Sequence, residues 1–153
     1  MSAYTVALGW LARRELSASQ VRSRLLDRDH TPEETDAAVA KLLATGALDD
    51  RRVARAYART ALSIKGRGRL RVARELQTMG IAREVAAEAI AEVFGDVDES
   101  ALVNKAIAKK LRGRKVASVQ DRARLYRFLI RQGFPSAAIS SALRKAAASD
   151  DTA

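Results

Sequence analysis

Cationic side chains recur along this sequence at helical spacing, and the chemistry open to them is recognition of phosphate or carboxylate. The densest run lies in "SIKGRGRLRVARELQTMGI", residues 63–81, where Lys65, Arg67, Arg69, Arg71 and Arg74 fall within ten residues and two glycines break the run. Arg67, Arg71 and Arg74 recur at i, i+4 and i+7, which predicts one helix face opposite Leu70, Ala73 and Leu76. Arg52, Arg55 and Arg59 predict a similar stripe on the preceding helix. Lys105, Lys109 and Arg112 repeat the spacing further on, as do Arg124, Arg127 and Arg131. A single charged helix face is ordinarily just solvated. Four such stripes predict a polyanion or an acidic protein surface as partner. The preference for arginine fits planar hydrogen bonding to phosphate or carboxylate.

Other chemistry finds little support. The "GRG" at 66–68 resembles part of a phosphate loop, but the run GxxxxGK[ST] or GxGxxG after a strand is absent. There is no cysteine, which removes disulfides, thiolate ligands and a thiol nucleophile. The single histidine, His30, cannot build a common His-based metal site alone, and its repeat equivalents are Ile81 and Phe134. Asp49 and Asp50 read as helix caps before they read as metal ligands. Trp10 and Tyr57 could stack on bases, yet their spacing with Leu, Val and Ile predicts core. The expectation is a protein that is not an enzyme and takes no cofactor.

Charge is distributed unevenly over the 153 residues. Residues 1–50 hold six basic and eight acidic residues, residues 51–95 ten and four, and residues 96–153 twelve and six, for a net +10. A mildly acidic first third followed by a basic remainder predicts a body with an oriented, polyanion-facing side. No apolar run approaches the length of a membrane span, and no secretory leader pattern opens the chain. No membrane partner is expected, and a cytoplasmic location is the default.

The elements that must position these cations are helices. The sequence is 48% hydrophobic, much of it alanine, with two prolines, a composition that favours an all-α chain. Three segments superpose: "LLDRDHTPEETDAAV" at 25–39, "LQTMGIAREVAAEAI" at 76–90 and "LIRQGFPSAAISSAL" at 129–143. Leu25, Leu76 and Leu129 align, then Asp29, Gly80 and Gly133, then Val39, Ile90 and Leu143. On the same alignment Arg71 matches Arg124 and Arg74 matches Arg127, whereas the first unit carries Gln20 and Ser23. Similarity at such a period predicts stacked supersecondary units. Each reads as three helices, giving modules over 1–48, 49–95 and 96–147 and a frayed tail at 148–153. In the first, Leu8, Leu11 and Ala12 predict the inward side of "VALGWLARREL". Ser17 with Gln20, and Thr31 with Glu34, are capping pairs, Pro32 suits the first helical position, and Gly46 suits a left-handed stop. In the second, Val53, Tyr57 and Ile64 are expected inward, then Leu70, Ala73 and Leu76. In the third, Val103, Ile107 and Leu111 are inward, and Ser118 with Asp121 caps the helix that buries Leu125, Phe128 and Leu129.

Four stretches in order, "ALGWLARRELSASQVRSRLL", "LLATGALDDRRVARAYAR", "KGRGRLRVARELQTMGI" and "RFLIRQGFPSAAISSAL", resemble the RecX family of recombinase regulators over about residues 6–146. The family element LDDxRxA stands as Leu48 to Ala54, with Val53 where an aromatic is usual. Its element KGxxxIxxEL stands as Lys65 to Leu76, with Leu70 or Val72 at the aliphatic position. Asp29 replaces the usual glycine at the end of the second helix, which predicts a different turn there. The short lead before the first unit predicts that any extension found in the family is missing. The resemblance implies an elongated tandem array of three three-helix modules that lies along the groove of a RecA filament, and a monomer is expected. It implies that ATP hydrolysis, strand exchange and filament growth are restrained. The alternative is a sequence-independent module that binds single- or double-stranded DNA directly.

Overall fold

The structure, a computed structural model, describes residues 1–152, with side chains through residue 147; the tail expected at 148–153 lies outside the side chains described. Among the described residues the regular elements are all α-helices: α1 (Ala3–Leu11), α2 (Ala18–Asp27), α3 (Pro32–Thr45), α4 (Asp50–Ser63), α5 (Arg69–Thr78), α6 (Arg83–Phe94), α7 (Glu99–Leu111), α8 (Val119–Gln132) and α9 (Ser136–Thr152). The helix starts follow capping chemistry. Ser17 and Thr31 each form a full capping box, with Gln20 and Glu34 reaching back to the cap backbone. Asp49 accepts from the amides of Arg51 and Arg52 at 3.0 and 3.3 Å, and Ser118 accepts from that of Asp121 at 3.0 Å. Each such cap stabilises its helix by about 1 kcal/mol. Gly46 ends α3 with φ +80, in the left-handed region that costs glycine least.

Burial separates into three cores. The first gathers Ala7, Leu16, Val21, Leu25, Val39, Leu42 and Leu48 from α1–α3 and their connections. The second gathers Val53, Ala54, Ala58, Val72, Leu76, Ile81 and Ala86 from α4–α6. The third gathers Val103, Ile107, Leu125, Leu129, Phe134, Ile139 and Leu143 from α7–α9. Three small cores in a row leave much surface exposed. The accessible area is 9572 Å², against about 7,600 Å² for a compact monomer of this mass. The array is elongated.

Several inward assignments shift. Helix α1 starts at Ala3 and presents Ala3 and Ala7 to the core, while Leu8 and Ala12 are exposed. Ile64 is also exposed, and Phe128 and Leu111 are half-buried. On α5 the buried pair is Val72 and Leu76; Leu70 is 39% exposed. Trp10 packs at the margin of the first core with the guanidinium groups of Arg24 and Arg28 at 5.8 and 5.7 Å from its ring.

The turn at Asp29 does not differ from its equivalents. Asp29 has φ +67, beside +78 at Gly80 and +102 at Gly133. The following amide reaches back to the same carbonyl in all three units: His30 to Leu25 at 3.2 Å, Ile81 to Leu76 at 3.1 Å and Phe134 to Leu129 at 3.3 Å. This is the long-range bond of a Schellman turn. What distinguishes the glycines is what lies against them. A Cβ on Gly80 would stand 2.4 Å from Ser19, and one on Gly133 would stand 2.4 Å from the Cβ of Arg71 and 2.8 Å from the carbonyl of Gly68.

Those contacts are the junctions between modules, and they repeat. The start of α2 sits on the end of α5, where the buried Ser17 hydroxyl donates to the carbonyl of Met79 and the Ala18 amide donates to Asp50 Oδ1 at 2.9 Å. The start of α5 sits on the end of α8 in the same way. There the amide of Gly68 donates to the carbonyl of Gln132 at 2.8 Å and that of Leu70 to Gly133 at 3.1 Å. At this second junction the unpaired amides of one helix start meet the unpaired carbonyls of another helix end; at the first, a side-chain hydroxyl meets the carbonyl instead.

Candidate functional site

The predicted cationic residues divide into those the fold uses internally and those it leaves free. Arg67 precedes α5 rather than lying on it, and it is 18% exposed. Its Nη1 lies 2.6 Å from Glu75 Oε2 and donates to the hydroxyl of Tyr57 at 3.2 Å. Arg71 closes the same cluster, with Nε 3.6 Å from Glu75 Oε1 and Nη1 donating to Gln132 Oε1 across the module junction at 2.8 Å. Glu75 sits on the inward side of α5, between Val72 and Leu76, and tolerates that position because two guanidinium groups neutralise it. Burial raises the Tyr57 hydroxyl above its ordinary value of 10.0, and the neighbouring Glu75 carboxylate adds to the rise. The stripe expected at Arg67, Arg71 and Arg74 is therefore not one solvent face; Arg74 alone of the three stands exposed and without an ion pair among the described residues.

Arg52 is likewise structural. It donates to the carbonyls of Gly46 and Ala47 at 3.0 and 3.1 Å and to Glu15 at 3.0 Å, tying α4 to the end of the first module. The Glu15 hydrogen bond raises Arg52 from its already high ordinary value. Three further cations make loose, exposed pairs: Arg59 with Glu92 at 3.6 Å, Arg69 with Glu99 at 3.4 Å and Arg124 with Asp121 at 3.9 Å. Pairs of this kind contribute about 0–1 kcal/mol and exchange readily for an incoming anion.

Arg55, Lys65, Arg74, Lys105, Lys109, Arg112, Arg127 and Arg131 have no carboxylate oxygen within 4.0 Å among the described residues. Lys65, Lys105, Lys109 and Arg112 come together at a groove between the end of α4 and the length of α7. Arg112 reaches it from a left-handed cap with φ +50. Two cations there fall outside the expected stripes, Lys110 and Arg114. Lys110 breaks the i, i+4 spacing of Lys105 and Lys109, and Arg114 lies in a loop where periodicity has no meaning. The only sequence signal for them is the local density of "KKLRGRK". Among the described residues no group of three or more His, Cys, Asp or Glu could hold a metal ion. His30 forms an i, i+4 pair with Glu34 at 3.5 Å. No helix is long and apolar enough to cross a membrane among the described residues.

Fold and surface together define an all-α tandem array of three-helix modules with a cationic surplus on its second and third units. Comparison with known proteins matches each module in order: residues 3–42 to the first three-helix domain of RecX, 49–90 to the second and 97–143 to the third. The chain is 34% identical over 143 residues to the regulatory protein RecX of Pelodictyon phaeoclathratiforme, covering 93% of this chain and 87% of that one. It is 37% identical over 134 residues to the regulatory protein RecX of Thermus thermophilus, covering 87% and 84%. The crystal structure of RecX from Lactobacillus salivarius superposes with a TM-score of 0.77 at 21% identity, covering 94% of both chains. The chain belongs to the RecX family of regulatory proteins.

Proposed function

We propose that this chain is a non-enzymatic negative regulator of the RecA recombinase, a cytoplasmic monomer that lies along the groove of the RecA–DNA filament. There it lowers ATP hydrolysis, strand exchange and filament growth. The observation that carries the reading is the spacing of cations that have no ion pair among the described residues over successive modules of an elongated array, with Arg55 and Arg74 on the second and Lys105, Lys109, Arg127 and Arg131 on the third. A filament repeats its acidic surfaces and its enclosed DNA at a fixed period. An array with a fixed module spacing engages several repeats at once, so contacts that are weak singly bind the polymer strongly and the free protomer weakly.

The same cations favour a second reading, sequence-independent binding to naked DNA, and one experiment separates the two. RecA's ATPase on single-stranded DNA is measured while this protein is titrated from well below equimolar, at about 50 and about 200 mM salt. Inhibition at a small fraction of the RecA concentration, retained at the higher salt, is the expected result. Loss of inhibition with salt in step with loss of binding to naked DNA assigns the activity to phosphate contact instead. Turnover of ATP or nucleic acid by the purified protein alone would contradict the non-enzymatic role.

A further inference from the structure

The groove between α4 and α7 has a composition that a general affinity for polyanions does not account for. Its volume is about 500 Å³. Lys65, Lys105, Lys109, Lys110, Arg112 and Arg114 rim it, no acidic residue lines it, and none of the six has a carboxylate within 4.0 Å among the described residues. Other cations without a carboxylate partner among the described residues, Arg55, Arg74, Arg127 and Arg131, lie outside this groove, whereas Arg51, Arg52, Arg67 and Arg71 are paired. The groove gathers six such partnerless cations in one place. Helix ends offer a local reason for cations, since α4, α7 and α8 all finish here at Ser63, Leu111 and Gln132. Each C-terminus carries roughly half a negative charge. Three of them offset at most about one and a half of the six positive charges, and the surplus stays.

The floor is aliphatic. Leu62, Leu102 and Ala106 are half-buried, and Ile64 is 74% exposed. Leu102, Lys105, Ala106 and Lys109 share one face of α7 at i, i+3, i+4 and i+7, so apolar and cationic side chains alternate along it. The one aromatic in the lining, Phe128, is half-buried and capped by the Lys110 ammonium 4.6 Å from its ring centre. Single-stranded nucleic acid takes much of its affinity from bases stacked on open aromatic faces, and this groove offers none. Four of its six cations are lysines, point charges that meet a carboxylate as readily as a phosphate.

We infer that the α4–α7 groove is a docking site for an acidic peptide segment, one whose carboxylates meet the lysine rim and whose aliphatic or aromatic side chains cover Ile64 and Leu102. This stands on the groove alone and holds whichever macromolecule supplies the segment.

The test uses three fluorescein-labelled probes of equal charge: a 12-residue peptide alternating Glu and Leu, one alternating Glu and Ser, and a dT oligonucleotide. Anisotropy is read on the full chain and on variants whose helicity by circular dichroism matches it. The Glu–Leu peptide binds more tightly than the Glu–Ser peptide. Lys105→Glu with Lys109→Glu weakens it by about tenfold or more, as like charge replaces opposite charge at the rim. Ile64→Ser removes most of the advantage of Glu–Leu over Glu–Ser. Arg24→Glu with Arg28→Glu, the same charge change beside Trp10 on the first module, leaves both peptides within about twofold of wild type, as expected of a screened distant charge. Equal binding of the two peptides, or equal loss in the Arg24/Arg28 variant, overturns the inference. So does tighter oligonucleotide binding that Lys105 and Lys109 control, which assigns the groove to nucleic acid. RecA inhibition is measured on the same preparations: a wild-type chain that inhibits RecA yet binds neither peptide overturns the groove and not the regulator, and one that binds the Glu–Leu peptide without inhibiting RecA overturns the regulator and not the groove.

Discussion

At the scale of single residues, the chain separates cations that hold the fold from cations that face outward, and the separation follows from where carboxylates sit. Glu75 organises Arg67, Arg71 and Tyr57. Glu75→Gln leaves the poorly exposed Arg67 guanidinium without its charge partner and lowers stability by about 2 kcal/mol, measured by urea denaturation. Tyr57 adds a pH signature. Its folded value lies above the ordinary 10.0, so the folded state holds the phenol proton more tightly than the unfolded state does. The stabilisation that results is complete below about pH 10 and disappears as pH rises through the folded value. Stability of the wild type therefore falls more steeply above pH 10 than that of Tyr57→Phe, compared by denaturant midpoints at each pH. Charge reversal divides along the same line. Arg74→Glu with Arg127→Glu, both exposed and without an ion pair among the described residues, changes stability by less than about 0.5 kcal/mol yet weakens RecA inhibition, whereas Arg67→Glu places like charges side by side and destabilises the second module. Retained inhibition in the Arg74/Arg127 variant would remove those two side chains from the contact.

At the scale of helices, most of the architecture was legible and the register of α5 was not. Capping pairs and left-handed stops are written in local residue types, so Ser17, Thr31, Asp49, Ser118 and Gly46 marked their boundaries. On α5, helical spacing is met equally by Leu70, Ala73 and Leu76 and by Val72 and Leu76. The second set wins although it brings Glu75 inward, because Arg67 arrives from outside the helix to neutralise it, and periodicity carries no record of that. The alignment of Asp29 with Gly80 and Gly133 correctly marked equivalent turns, but the need for glycine came from the neighbouring module, which local pattern cannot see. The two causes can be measured apart. Asp29 already supports a Cβ at positive φ on an exposed turn, so Asp29→Ala costs about 1 kcal/mol or less. Gly133→Ala adds a Cβ against Arg71 and the Gly68 carbonyl and costs about 2–4 kcal/mol, strain and overlap combined. Thermal melts of the two variants show the gap.

At the scale of the whole molecule, the repeat and the charge gradient announced an array with a cationic far end, while the device that fixes its spacing left almost no mark in the sequence. That device is backbone against backbone: the amides of Gly68 and Leu70 on the carbonyls of Gln132 and Gly133. Main-chain groups are the same in every residue, and only the two glycines hint at the close approach. Gly68 isolates the junction from the modules it joins. Its φ of −81 and ψ of +162 are extended backbone open to any residue, yet a Cβ there would stand 2.5 Å from the Gly133 carbonyl group and 2.8 Å from the ring of Phe134. Gly68→Val therefore strains the contact between modules without forbidding either module's own fold. Circular dichroism keeps its helical amplitude, and small-angle scattering reports a larger radius of gyration as the third module swings free. If inhibition of RecA depends on several modules meeting the filament at a set spacing, the effective concentration of the second contact falls with that freedom, and more protein is needed for half-inhibition. A larger radius with unchanged inhibition would mean that each module acts alone, and the rigid array would lose its place in the mechanism.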